Sequence, residues 1–344
     1  MKKGVHKVFK VADLYCGAGG FSEGLEEACR KADLTLWLVA VNHWPDAIET
    51  HTRNHPEAVH LCADLDSVDP RKIVPGKMLD MLIASPECTH HSNARGGKPR
   101  DDQSRMDAWS VVRWANDIYI STLLVENVVE FEDWGPLDSK GNPIRRRKGE
   151  MFRAWIAALE ALDYRVEYRK LNAMHYGAAT SRERLFVLAH RGTRKLSWPS
   201  ATHGDVDKNQ PHLFGAIKPV RTAREIIDWS LSGTSIFGRK KSLSDATLKR
   251  IEVGLRKFCG IEFILPNERF YRGNAPRSVD DPIPTVTQRG AGNLVTPVIV
   301  QLNGNPEGST AQSVDTPLRS VVASGNHFGL AKPFLMRWDY VRHG

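Results

Sequence analysis

The feature that most constrains this chain is an apolar strand running straight into a glycine cluster and then into a helix. Val8–Tyr15 reads as a buried strand and Cys16–Gly20 as a glycine-rich turn, after which Phe21, Leu25 and Ala28 recur at helical spacing to about Lys31. Glycines at such a turn can take positive φ and let a ligand approach the backbone at the carboxyl end of a strand. The alternation continues downstream. Leu36–Val41, Leu79–Ala84, Tyr119–Val125, Arg165–Leu171 and Arg184–His190 read as strands, and Met106–Asn116 and Met151–Leu162 as helices. Strands and helices alternating over short connections predict a doubly wound α/β sheet, ending near Trp198-Pro199.

From about Ala201 the texture changes to short segments cut by Gly, Pro, Asn and Asp, with one helical stretch around Ser242–Phe258. Ser278-Val279-Asp280-Asp281-Pro282 recurs as Ser313-Val314-Asp315-Thr316-Pro317, and each copy leads to a further strand at Leu294–Pro297 or Leu330–Pro333. The division expected is a first domain over 1–200 and a smaller, loop-rich, mostly β domain over 201–344, with the repeat at 277–300 and 312–335. Charge is also uneven along the chain. Residues 1–85 hold 10 basic and 12 acidic side chains, 86–200 hold 19 and 15, and 201–344 hold 19 and 13, so the net +8 lies downstream of the first strands. A polyanion such as nucleic acid is the natural partner for that asymmetry, and a solvated surface is the alternative.

No apolar run approaches the roughly 20 residues of a membrane span, and nothing apolar follows the charged start Met1-Lys2-Lys3. Cys16, Cys29, Cys62, Cys88 and Cys259 include no Cys-x-x-Cys pair, which suggests free thiols in a reducing cytoplasm. Two histidine groupings, His90-His91 beside Cys88 and His51 with His55, lack complete ligand spacing; no metal is expected, and both read as loop or surface histidines.

The glycine turn lacks the Gly-Lys-Ser/Thr of a phosphate-cradling loop and misses the dinucleotide spacing, so a ligand with an adenosine and no phosphate fits better. Such a ligand wants polar groups after the next strands, and Asn42 and Asp64 occupy those places. Leu79–Ala84 delivers the chain into Ser85-Pro86-Glu87-Cys88-Thr89-His90, which puts a thiol at the carboxyl end of a central strand. A basic, glycine-bearing loop follows through Arg105. A thiol attacks as thiolate, so Arg95, Arg100 and Arg105 would favour the reactive form. A buried structural cysteine is the other reading.

The glycine turn, Cys88, Glu126-Asn127-Val128 after a strand and Thr180-Ser181-Arg182-Glu183-Arg184 before one resemble, in order and spacing, the motifs of the cytosine-5 DNA methyltransferases over about residues 8–200. The resemblance implies a Rossmann-like methyltransferase sheet with a smaller target-recognition domain. It implies a nucleophile at Cys88, a base-binding acid at Glu126, supporting arginines at Arg182 and Arg184, and S-adenosylmethionine as methyl donor. The donor site would comprise Asp13, Tyr15, Gly17, Gly19, Gly20, Asn42, His43, Asp64 and Leu65. This chain departs from the pattern at Glu87 and Thr180, where the family has proline and glutamine, and at Asn42, where it has a ribose-binding glutamate. The family's last two motifs are not visible, and Gly325-Asn326 imitates one poorly.

The implied chemistry is concrete. A stacked cytosine must be flipped out to be reached. The Cys88 thiolate adds to carbon 6 and pushes electrons onto carbon 5. Glu126, protonated or sharing a proton through burial, bonds ring nitrogen 3, and Arg184 with Arg182 holds the base carbonyl. Double-stranded DNA is then the partner, with no membrane, and Arg239-Lys240-Lys241, Arg272, Arg289 and Arg319 are candidate contacts; Arg145–Lys148 reaches phosphate or is simply solvated. A restriction-modification setting fits that assignment. The alternatives are an RNA substrate and a chain that needs a complementing subunit to supply the missing motifs. A cysteine hydrolase lacks a base and an orienting residue.

Overall fold

The computed structural model describes residues 7–86, 107–139, 141–204, 217–228, 230, 234–235, 263–266, 275–283, 292–301, 311–313 and 328–337. Cys88 with its loop through Arg105, the helix expected over 242–258, Cys259 and the candidate DNA contacts beyond residue 238 lie outside them. The chain divides into two compact units, Met1–Leu171 with Glu183–Pro199, and Asn172–Arg182 with Ser200–Gly344.

The first unit carries a seven-stranded sheet in the order β3-β2-β1-β4-β5-β7-β6. Its strands are β1 Val8–Leu14, β2 Thr35–Asn42, β3 Val59–Cys62, β4 Met78–Ala84, β5 Tyr119–Asn127, β6 Tyr164–Asn172 and β7 Glu183–Arg191. β1 to β5 pair in parallel, whereas β7 runs antiparallel to β5. Order reverses between β1 and β4, since β2 and β3 lie to one side and β4 and β5 to the other. This α/β sheet is the expected doubly wound one.

Both faces are covered, which is why the central strands read as nearly continuous apolar runs. The period of two along each strand sorts its side chains. Val11 and Ile83 pack with Leu25 and Cys29 of α1 (Gly20–Lys31), four residues apart on one stripe. Ala12, Leu14, Leu82 and Ala84 point the other way. There they meet Val111, Trp114 and Ala115 of α4 (Trp109–Asp117) and Phe152, Trp155 and Leu159 of α5 (Glu150–Glu160). α2 (Pro45–Asn54) begins with proline in its first turn, where a missing N–H costs nothing, and α3 is the single turn Pro70–Ile73. Among the described residues no helix is long and apolar enough to cross a membrane.

The second unit pairs β8 (His203–Gly204) with β9 (Lys218–Pro219). It also holds a six-stranded sheet in the order β10-β15-β13-β11-β12, with β14 on β13. Those strands are β10 Thr234–Ser235, β11 Phe263–Pro266, β12 Arg277–Ser278, β13 Gly292–Gln301, β14 Ala311–Ser313 and β15 Phe328–Arg337. β13 and β15 belong to the two copies of the internal repeat and pair antiparallel with each other, from Asn293↔Arg337 to Gln301↔Phe328. The register slips between Thr296 and Val298, at Pro297, with Pro333 on the facing strand. Proline has no N–H for the ladder, so equivalent prolines in the two copies interrupt it at one place. A small core of Ala223, Ile227, Ile264, Val279 and Leu294 lies in this unit. Thr180 and Ser181 belong here too, through a parallel bridge from Thr180 to Ile283 and a 2.9 Å bond from the Ser181 N–H to the Ile283 carbonyl.

Candidate active site

The parallel register brings the carboxyl ends of four strands to one edge. Leu14 faces Val41 and Ala84, and Ala84 faces Val125. The ladder continues into the loops: the Cys16 N–H bonds the Val41 carbonyl at 3.3 Å and the Ser85 N–H bonds the Leu14 carbonyl at 3.1 Å. The glycine turn therefore sits at the order reversal between β1 and β4, the place where open α/β sheets bind ligands.

The turn is built on positive φ at Tyr15, Gly17 and Gly19, +58°, +54° and +99°, a conformation that the two glycines take without strain. The Tyr15 hydroxyl donates to the Asp107 carbonyl at 3.1 Å, which ties the turn to the start of α4. The expected donor-site glycines separate into two kinds. A Cβ at Gly17 or Gly20 would meet nothing within 4 Å, so both leave room beside the backbone. A Cβ at Gly19 would stand 2.7 Å from the His55 Cδ2 and 3.3 Å from that of His51, so this glycine serves close packing. Asp13 is 1% exposed; its Oδ2 accepts from Ser22 Oγ at 2.8 Å and its Oδ1 has no hydrogen-bond partner among the described residues. Burial pushes its carboxyl up to about 7, against the opposing pull of Ser22 and His55.

His51 and His55 are not surface histidines, contrary to the sequence reading; both are buried under this turn, on α2 and at its C-terminal cap. Their positions fall on the inward stripe of an amphipathic helix, which their polarity concealed. His55 Nδ1 lies 2.8 Å from Glu26 Oε1, and Glu23, Glu26 and His55 bring three ligand atoms within 4.8 Å of one another.

At the end of β2, buried Asn42 turns inward and accepts the Trp44 N–H at 2.9 Å, shaping the turn. His43 is exposed beside it, and the Trp44 ring is 52% exposed. Sequence reasoning overlooked Trp44; a large aromatic two residues past an apolar strand was the available signal. Asp64, exposed after β3, accepts the Asp66 N–H at 3.1 Å. Leu65 is 4% exposed and its side chain packs in the core, which leaves its backbone for any contact with the donor.

On the other side of the switch point, Glu126 near the end of β5 lies 3.1 Å from the Arg184 Nε of β7, with both side chains under 20% exposed. Antiparallel pairing of the two strands, Glu126↔Phe186 and Asn127↔Leu185, makes that contact. Arg184 thus braces the carboxylate at 126. Its neighbour Arg182 falls in the second unit, where its carbonyl accepts the Ala173 N–H at 2.8 Å. Asn127 is buried and its Nδ2 donates to the Pro86 carbonyl at 3.4 Å. The backbone two residues before Cys88 is thereby tied to the strand carrying Glu126. Among the described cysteines, burial pushes the Cys16 thiol up to about 12 and raises that of Cys29, which suits neither to nucleophilic attack.

Comparison with known proteins places the chain in a family. A Type II methyltransferase of Thalassovita gelatinovora, M.AgeI, is 31% identical over 234 residues, 63% of this chain and 50% of its own length. M.AquIA of a Picosynechococcus strain is 27% identical over 63% of this chain and 87% of its own length. The chain spans half the length of the first of these relatives and most of the second. A solved structure described as a DNA modification methyltransferase encoded within an E. coli prophage shares the fold, with TM-score 0.51, 18% identity and coverage of 81% of this chain and 82% of that one. The family described as C-5 cytosine-specific DNA methylase matches residues 9–257, well over half of the chain, and the chain belongs to that family, whose methyl donor is S-adenosylmethionine.

Proposed function

We propose that this chain transfers a methyl group to carbon 5 of a flipped-out cytosine in DNA, with Cys88 as nucleophile. The observation that carries the reading is the common edge of β1, β4 and β5. It gathers the glycine turn, the half-buried Glu126–Arg184 pair and the Pro86 carbonyl bonded by Asn127, two residues before Cys88. The residues present fit the donor. Asp13 keeps an unpartnered buried carboxyl oxygen for an N–H group, Gly17 and Gly20 leave the backbone open, and Trp44, His43 and Asp64 line the next strand ends for an adenosine. When bound, S-adenosylmethionine supplies an electrophilic methyl on a sulfonium.

The chain's own groups would do the rest. The Cys88 thiolate adds to carbon 6, and the electron pair moves to carbon 5. Glu126, held by Arg184, would act as the acid that shares a proton with ring nitrogen 3, so that the negative charge pushed into the ring is neutralised there. Once carbon 5 is methylated it loses its proton, and the thiolate leaves by elimination. The net positive charge downstream supports binding to a DNA backbone, and the second unit would read the target. The cysteines, none in a Cys-x-x-Cys pair, suit a reducing cytoplasm, and a restriction-modification setting suits relatives named as Type II methyltransferases.

A duplex containing 5-fluorocytosine tests the reading, because fluorine at carbon 5 blocks elimination and traps the adduct. The full chain with S-adenosylmethionine should give a covalent complex that Cys88→Ser abolishes. Trapping on RNA alone would change the substrate. Trapping only after a second polypeptide is added would make this the catalytic part of a two-chain enzyme. No adduct on any duplex or RNA would overturn it.

A further inference from the structure

A file of polar side chains that the proposed chemistry does not use runs directly behind the glycine turn. Asp13 Oδ2 lies 2.8 Å from Ser22 Oγ, Ser22 Oγ 3.1 Å from His51 Nε2, and His51 Nδ1 2.9 Å from His60 Nε2. It joins the end of β1, the first turn of α1, the inner face of α2 and β3. Asp13, Ser22 and His51 are at most 1% exposed, while His60 is half-buried. Leucine and alanine at those places would pack the same layer without the desolvation that buried polar groups incur. The same helix end also grips the turn from beneath. His55 Nε2 lies 3.3 Å from the Gly19 carbonyl, and Asn54 Nδ2 donates to the Ala18 carbonyl at 3.3 Å.

The file has two self-consistent proton settings. With Asp13 ionised, Ser22 donates to it, His51 donates through Nε2 to Ser22, and His60 donates through Nε2 to His51 Nδ1. With Asp13 protonated every bond reverses, and both imidazoles change tautomer. Burial favours uncharged groups here, raising Asp13 to about 7 and lowering His51 to about 4. A ligand N–H on the free Asp13 oxygen selects the first setting.

The geometry points to Ser22, His51 and His60 as positioning residues of the methyl-donor site, which orient the Asp13 carboxyl and seat the glycine turn for its ligand. This rests on the donor site proposed above. It differs from that site's own residues in acting wholly from behind.

The test is calorimetric binding of S-adenosylhomocysteine, the stable product, to the full chain. Ser22→Ala and His51→Leu should each weaken binding about tenfold, and the double variant no further, since both break one file. His51→Gln should return affinity to within about threefold, because its amide N–H reaches Ser22 in place of Nε2. Duplex binding should be unchanged in all of them. Nitrogen-15 spectra of the imidazoles should show the ligand converting His51 to the Nε2–H tautomer. Independent, multiplying losses, a glutamine variant as weak as leucine, an unmoved tautomer or equal loss of duplex binding would each overturn the inference. Full affinity in Ser22→Ala would overturn it alone; failure of the unsubstituted chain to bind would take the donor-site reading with it. Ser22→Ala and His51→Gln remove little volume, so the answer does not depend on the leucine variant folding.

Discussion

Replacing Asp13 by asparagine should change how stability depends on pH, by an amount the buried file sets. Burial raises the Asp13 carboxyl from 3.8 to about 7 in the folded chain. Between those values the folded chain keeps a proton that the unfolded chain has lost, so stability falls as pH rises through the window and stays lower above it. Three units correspond to about 4 kcal/mol at 1.36 kcal/mol per unit. His51 acts in the opposite sense: lowered from 6.5 to about 4, it binds fewer protons folded than unfolded and adds stability as pH rises from 4 to 6.5. In the unsubstituted chain the two slopes oppose each other over pH 4 to 6.5, and the Asp13 slope remains alone from there to 7. Asp13→Asn removes one of them. Urea unfolding of both proteins, followed by circular dichroism at half-unit steps from pH 4 to 7.5, should show the variant gaining about 3–4 kcal/mol on the parent across that range. His51→Gln should gain instead as pH falls, by about 3 kcal/mol from 6.5 to 4. Exposed carboxylates are common to all three proteins and cancel in the differences. An Asp13→Asn difference that stays within about 1 kcal/mol over the whole range would refute the placement of a desolvated carboxyl at the turn.

The two glycine kinds should separate experimentally. Gly19→Ala, at φ +99° and against the His55 ring, should destabilise the chain by roughly 3 kcal/mol or more, whereas Gly17→Ala, at φ +54° in open space, should cost roughly 1 kcal/mol by melting yet still weaken cofactor binding. Trp44→Ala should weaken S-adenosylhomocysteine binding about tenfold and shift the melting temperature little, since the ring is half exposed; unchanged binding would remove Trp44 from the site. Arg184→Ala should slow trapping by 5-fluorocytosine DNA at least tenfold through loss of the brace on Glu126, and an unchanged trapping rate would show that the pair is structural. Cys16→Ser should trap at the parental rate, because its buried thiol sits far above neutrality.

Much of this protein could be read from residue order. Apolar period and glycine placement determined the strands at 8–14, 35–42, 78–84 and 119–127 and the turn after the first, because these signals act over a few neighbouring residues. The four-residue β3 carried too little pattern to be given bounds, and the antiparallel run of β7 depends on partners distant in the chain. The candidate site divides in the same way. The resemblance of ordered motifs picked out Asp13, Glu126 and Arg184, yet only folding set Arg184 on Glu126, packed the Leu65 side chain into the core and drew His51 and His55 beneath Gly19. A motif states which chemistry a side chain can perform. Its partner, its burial and the free energy of its proton are set by neighbours that only the packed sheet brings within a few ångströms.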